Sequence, residues 1–171
     1  RPRCVTSPMS QASLSRRRFL QQGAATIIGA PFVTSGMRAA SPNGKLRHAA
    51  FGGSGMSWAD MSSMSNHPMW ELVAVCDVDT RNFAKVKDKF GSDVRCYQDW
   101  RELLTQEQGK IDSVNVSIPD HMHGSVGYNA LTRGLHVYGQ KPLTQNLHEC
   151  RVVTEKARET GLMTQMGIQI S

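Results

Sequence analysis

Two features of the chain could do chemistry before any fold is assumed. One is the run of small residues Gly52-Gly53-Ser54-Gly55-Met56-Ser57, and the other is Asp77, which closes the apolar segment Glu71-Leu-Val-Ala-Val-Cys-Asp. The small-residue run follows Leu46-Arg-His-Ala-Ala-Phe51 and precedes a polar, helix-compatible stretch. Apolar strand, glycine turn, helix, second strand and terminal acid is the order of a dinucleotide grip. Glycines let the backbone turn tightly and approach a pyrophosphate, whose charge rests at a helix N-terminus. The acid can accept hydrogen bonds from ribose hydroxyls. The frame is imperfect: counted as G-x-G-x-x-G from Gly52, the second and third glycines are Ser54 and Ser57, with Gly53 and Gly55 beside them. Taken alone, such a loop is also compatible with a glycine turn that binds nothing.

Alternating elements must position these residues. Strands are expected near 46–51, 72–76, 94–97, 111–118, 135–138 and 162–166. Helices are expected over 57–65, 80–90, from an Asp99 cap to 104, over 123–133, and from a Thr144 cap to 160. The continuous apolar run at 72–76 suits a parallel strand covered on both faces. Phe83, Val86 and Phe90 fall at helical spacing, and Gly91, Gly134 and Gly161 stand where helices stop. Pro119 ends the fourth strand, and Asp120 is expected to cap the helix after it. Strands alternating with helices at this spacing predict an α/β fold, a Rossmann-type doubly wound parallel sheet. Met56, Met61, Met64 and Met69 read as packing residues, although Met56 also borders the glycine turn.

The chain has 171 residues and a net charge of +6, which resembles the balance of a nucleic-acid or membrane binder. The distribution excludes that reading. Residues 1–40 carry six Arg and no acid, whereas residues 41–171 carry 14 Lys and Arg against 14 Asp and Glu. Residues 1–40 therefore read as a leader and 41–171 as one domain, with Ser41-Pro-Asn-Gly44 as linker. In the leader, Ser15-Arg16-Arg17-Arg18-Phe19-Leu20 precedes a mildly apolar run from Gly23 to Val33, too short for a stable membrane span. This resembles a twin-arginine export signal, with Met9 as the expected start, Ala39-Ala40 as the plausible cleavage point and the periplasm as destination. The alternative is a disordered basic tail. Cys4, Cys76, Cys96 and Cys150 show no metal-ligand spacing, so no metal is expected and the cysteines read as small apolar fillers.

Further along, Ser117-Ile-Pro119-Asp120-His121-Met-His123 is followed by Gly134-Leu-His-Val-Tyr-Gly-Gln140-Lys141-Pro142-Leu143-Thr144. With the glycine turn and Asp77, these blocks resemble the N-terminal half of the Gfo/Idh/MocA-type oxidoreductases, the glucose–fructose oxidoreductase and inositol dehydrogenase superfamily, over residues 46–171. The resemblance implies an NAD(P)-dependent oxidoreductase acting on sugars or polyols, with NAD favoured over NADP because Asp77 would repel a 2′-phosphate. It implies phosphate contact at Gly52, Gly53, Ser54, Gly55 and Met56, and ribose contact at Asp77. Pro119, Asp120 and His123 would lie beside the cofactor, and Gln140 and Lys141 would stand near the nicotinamide. His121 and His123 read equally well as residues that satisfy loop backbone groups. His136 and His148 read as surface or core.

Lys141 is the expected catalytic residue. Its ammonium can polarise a hydroxyl or stabilise an alkoxide, and Pro142 holds it out of helical geometry. Gln140 departs from the family's Glu-Lys-Pro pattern and puts the usual charge beside the lysine in question. The resemblance implies a second α/β domain that supplies the substrate pocket, and the chain, which stops at the end of the first domain, resembles a truncated or incomplete part of a longer protein. The expectation is therefore a domain that binds NAD without oxidising sugar alone, belonging to a protein that is a homo-oligomer when complete. Two further readings stay open: an NAD-dependent glycoside hydrolase of the same superfamily, and a non-catalytic nucleotide-binding module.

Overall fold

The computed structural model describes residues 44–168. The leader with Arg16 and Arg17, the linker through Asn43, Cys4 and residues 169–171 lie outside the described residues. Six strands alternate with five α-helices: β1 (Leu46–Phe51), α1 (Gly55–Met64), β2 (Trp70–Cys76), α2 (Arg81–Phe90), β3 (Arg95–Tyr97), α3 (Trp100–Gln106), β4 (Ser113–Val116), α4 (His123–Thr132), β5 (His136–Gln140), α5 (Leu147–Thr160) and β6 (Thr164–Gly167). The strands form one sheet in the order β3-β2-β1-β4-β5-β6. Every neighbouring pair is parallel. The order reverses between β1 and β4, so the connections leaving their carboxyl ends run in opposite directions and leave a crevice there.

Alternation along the central strands divides the core between the two faces of the sheet. Ala49, Phe51 and Ala74 pack with Leu103, Val114, Val116, Val126 and Leu131. Ala50, Leu72 and Val75 pack with Met61, Val86 and Val94, flanked by Trp58, Trp70 and Phe90. All four residues of β4 are buried, as a strand covered on both faces requires. Along β1 the pattern runs from exposed Leu46 to four buried residues. The buried end is the end that carries the glycine turn.

The expected architecture holds, with differences at the caps. Asp99 caps α3 as expected, accepting from the Arg101 amide at 2.8 Å. Thr144 does not cap α5. Asn146 does, with extended backbone and its side chain accepting from the Glu149 amide at 2.9 Å, a bond worth about 1 kcal/mol. Residues 141–146 are therefore loop, and the end of β5 is free to present Lys141. Asp120 opens a 3₁₀ turn, Asp120–Met122, instead of capping α4, whose N-cap Met122 makes no side-chain cap bond. β5 runs to Gln140, two residues beyond the expected end, because Gly139 pairs with Val116 of β4 and both Gly139 and Gln140 pair with β6. Cys76 is buried and Cys96 partly so, but Cys150 is exposed on α5 and fills no core space. No helix among the described residues is long and apolar enough to cross a membrane.

Candidate functional site

The turn after β1 is built around two glycines that nothing else could replace without a shift. Gly52 has φ +100°, and a Cβ there would lie 2.7 Å from the Ser117 carbonyl and 2.9 Å from the Ser57 Cβ. That conformation and that closeness both require glycine. A Cβ on Gly53 would meet the Asn82 Cβ at 3.0 Å and the Asp77 carboxylate at 3.1 Å. The Gly52 amide donates to the Cys76 carbonyl at 2.7 Å, so the turn is tied to the end of β2. Ser57 stands where a stricter glycine frame would have Gly. Its buried hydroxyl donates to the Gly52 carbonyl at 2.6 Å, converting a packing position into a staple. Ser54, Gly55 and Met56 are exposed at the start of α1. The amides of a first helical turn have no partner within the helix, and the positive end of the helix dipole lies there.

Asp77 stands at the end of β2, half-buried. Its Oδ2 accepts from the Gly53 amide at 2.7 Å and from the Asn82 side-chain amide at 2.9 Å, and its Oδ1 accepts from the Asp79 amide at 2.8 Å. The acid and the turn are thus one unit. Next to it, Arg81 pairs with Asp79 at 2.7 Å, and the hydrogen bond holds the Asp79 carboxyl below its ordinary range. Arg81 itself is almost fully exposed.

The other predicted residues gather at the ends of β4 and β5. Pro119, Asp120 and His121 are exposed in the loop. His123 fits the second of its two expected readings, a residue that satisfies loop backbone groups. It is buried, and its two ring nitrogens lie 2.7 Å from the Pro142 carbonyl and 2.7 Å from the Ile118 carbonyl. Both nitrogens are therefore turned to backbone, and His123 clasps the loop after β4 to the loop after β5 instead of offering a nitrogen to a cofactor. Lys141 is exposed immediately beyond β5, with a cis peptide bond to Pro142. Gln140 is buried, and its amide nitrogen lies 3.1 Å from each carboxylate oxygen of Asp60 on α1.

Asp60, Ser57, Asn115 and Ser117 form a polar network that the sequence reading did not anticipate. The Ser117 hydroxyl donates to Asp60 at 2.7 Å, and the Asn115 amide donates to Ser57 at 3.2 Å and to Ser117 at 3.1 Å. His48 completes it, with Nε2 3.1 Å from the Asn115 side-chain oxygen and Nδ1 2.8 Å from the Ser113 hydroxyl. Buried polar groups must be paired in this way, since an unpaired one costs about 1–3 kcal/mol. Asn115, a polar residue between two buried valines in a fully buried strand, was the available signal. An apolar cavity of about 360 Å³ lies beneath α5 against β5 and β6; His123, Gly139 and Leu143 help to line it, but the glycine turn, Asp77 and Lys141 do not.

A parallel sheet of this order, with a glycine turn after β1 bonded to an acid after β2, defines a dinucleotide-binding α/β domain. The chain belongs to the oxidoreductase family with an NAD-binding Rossmann fold, whose model matches residues 46–168. It is similar to the inositol 2-dehydrogenase of Salmonella typhimurium, 28% identical over 98 residues that make up 57% of this chain and 29% of the relative. It is 36% identical over 61 residues to the scyllo-inositol 2-dehydrogenase (NAD(+)) of Bacillus subtilis, covering 36% of this chain and 18% of that protein. Its fold matches the myo-inositol 2-dehydrogenase of Lactobacillus plantarum with a TM-score of 0.66 at 22% identity, over 72% of this chain and 36% of that one. The chain spans well under half the length of these relatives.

Proposed function

We propose that this chain is the cofactor-holding part of an NAD-dependent oxidoreductase that acts on a sugar or polyol hydroxyl. The observation that carries the reading is the bond between Asp77 and the Gly53 amide, which sets a carboxylate beside a turn that only glycine fills. A dinucleotide fits these residues. Without a Cβ, Gly52 packs against Ser117 and Ser57 and Gly53 against Asn82 and Asp77, which keeps the turn tight, and the amides of the first turn of α1 are placed for a pyrophosphate. Asp77 would take the ribose hydroxyls and disfavour a 2′-phosphate, which supports NAD over NADP. The bound nicotinamide would supply the hydride acceptor. Lys141, exposed at the carboxyl end of β5, would hold the substrate oxygen and stabilise the negative charge that develops on it. A sugar or polyol substrate is supported by the inositol dehydrogenases among the relatives.

Calorimetric titration of the chain with NAD and NADP, with NADH production followed on a panel of inositols and hexoses in the complete protein, tests this. Absence of NAD binding, or tighter binding of NADP, rejects the cofactor reading. NAD binding without turnover of any polyol rejects the substrate class.

Export by the twin-arginine route belongs to the same proposal and rests on Arg16-Arg17-Arg18-Phe19-Leu20. Replacing Arg16 and Arg17 with Lys keeps the charge and should retain the protein in the cytoplasm; unchanged delivery to the periplasm rejects it. Self-association of the complete protein rests on the family resemblance, and a monomer in light scattering rejects it.

A further inference from the structure

The carboxylate of Asp60 is held from two strands at once. Ser117, beyond β4, donates to it at 2.7 Å, and the buried Gln140 amide, at the end of β5, lies 3.1 Å from each of its oxygens. The other end of the same Gln140 side chain accepts from the Lys141 backbone amide at 3.4 Å. The donor and acceptor ends of Gln140 are therefore both used, one toward α1 and one toward the lysine. Space around this contact is filled: a Cβ on Gly167 of β6 would lie 2.5 Å from the Tyr138 hydroxyl and 2.9 Å from the Gln140 nitrogen. Burial, and then the Asp60 charge, pushes the Tyr138 hydroxyl up.

We propose that Asp60 is a positioning residue for Lys141, its carboxylate fixing the end of β5 through Gln140, and that position 140 is an amide because it donates to Asp60 while accepting from the Lys141 backbone amide. The proposal rests on the reading of Lys141 as the group that meets substrate. A carboxylate at position 140 would face the Asp60 carboxylate at hydrogen-bond distance, and like charges that close repel. An amide is the side chain of this shape that can donate to Asp60 and still accept from Lys141. The arrangement also links the helix that begins at the glycine turn to the strand end that bears the lysine.

The test is a swap in the full chain, read by amide hydrogen exchange at Lys141 with the Ala50 amide in β1 as internal reference. Gln140→Glu should speed exchange at Lys141 by about tenfold relative to Ala50, the size expected for a directly coupled pair. Asp60→Asn combined with Gln140→Glu reverses donor and acceptor and should return Lys141 to within about twofold of the parent. Equal acceleration at Lys141 and Ala50 would mean a general loss of stability and overturns the proposal, as does a swap no better than Gln140→Glu alone. If Gln140→Glu does not fold, the swap decides: a folded protein with parental exchange supports the proposal and an unfolded one overturns it. Titration of the parent with NAD is run on the same material. Failure there rejects the cofactor reading and leaves the exchange result to judge Asp60 separately.

Discussion

The Asp77 carboxylate accepts the Gly53 amide at 2.7 Å across the gap between β2 and the glycine turn. The acid that would receive a ribose is therefore also the acid that holds the turn in shape, with a second bond from Asn82 at 2.9 Å. In the proposed reading, structure and cofactor selection would share one side chain.

Asp77→Ala should for that reason lower stability as well as NAD affinity. The Gly53 amide, which lies in a buried residue, loses its acceptor, and the expected cost is about 1–3 kcal/mol by urea unfolding. NAD affinity should fall more than NADP affinity, since only NAD loses a favourable contact while NADP also loses a repulsion. Asp77→Asn keeps an acceptor for Gly53 and should recover much of the stability but little of the selectivity. Equal stability of Asp77→Ala and the parent would show that Gly53 does not depend on this bond.

The two positive-φ glycines of the turn should respond differently to alanine. At Gly52 a Cβ meets the Ser117 carbonyl at 2.7 Å, whereas at Gly55, with φ +56°, nothing lies within 4 Å. Gly52→Ala must push apart β4 and α1 and should cost at least about 3 kcal/mol, with NAD binding lost. Gly55→Ala carries only the backbone penalty, about 1–2 kcal/mol. Thermal melts of the two variants check the order, and a Gly55→Ala variant as unstable as Gly52→Ala would contradict it.

Local patterns carried the fold. The apolar runs of β1, β2 and β4, the glycines after helices and the proline after β4 each act within a few residues, so the parallel α/β sheet followed from their alternation, whereas the strand order was read only from the structure. The turn and Asp77 were picked out by the same local signs, and Lys141 by the resemblance of residues 134–144 to the family pattern. The polar network was not, because its members meet only after folding: Asp60 and Ser117 are separated by 57 residues and Asp60 and Gln140 by 80. Asp60 carries no local sign of its role on a helix that reads simply as polar. The cap of α5 was within reach, since Asn146 with Glu149 three residues on is a capping pair, but Thr144 competes on type alone. At Asp120 the local rule failed outright, because the chain makes a 3₁₀ turn before α4 begins.

Far from the candidate site, Glu107 ends α3 with its side chain fully buried, gripped by Arg95 at 2.5 Å and by the Tyr97 hydroxyl at 2.6 Å. Burial acts to raise its carboxyl, but Arg95 and then Tyr97 outweigh it and hold it below the ordinary range. A depressed folded value means the contribution is present above the unfolded value, about 4.3, and is lost as pH falls through the folded one. Glu107→Gln should therefore be less stable than the parent at pH 7, with the difference shrinking in acid. A gap that stays constant from pH 7 to pH 3 would separate the loss from ionisation.

His48 acts in the same direction at higher pH. Burial lowers its imidazole from 6.5 to about 4, against the Asn115 hydrogen bond, which favours the charged form. The neutral ring satisfies both partners: Nε2 donates to the Asn115 side-chain oxygen at 3.1 Å, and Nδ1 accepts from the Ser113 hydroxyl at 2.8 Å. Asn115 in turn bonds Ser57, whose hydroxyl holds the Gly52 carbonyl, so the ring supports the glycine turn through two intermediaries. Between about pH 4 and pH 6.5 the unfolded chain binds the His48 proton and the folded chain does not, so stability rises with pH across that window and is fully present above it. A displacement of this size corresponds to roughly 3 kcal/mol. His48→Gln retains a donor and an acceptor but no titration. Urea unfolding at pH 4.5 and pH 7 should show the parent losing more stability than His48→Gln by an amount approaching that figure. Identical losses in the two proteins would mean that the ring is not held neutral by the fold.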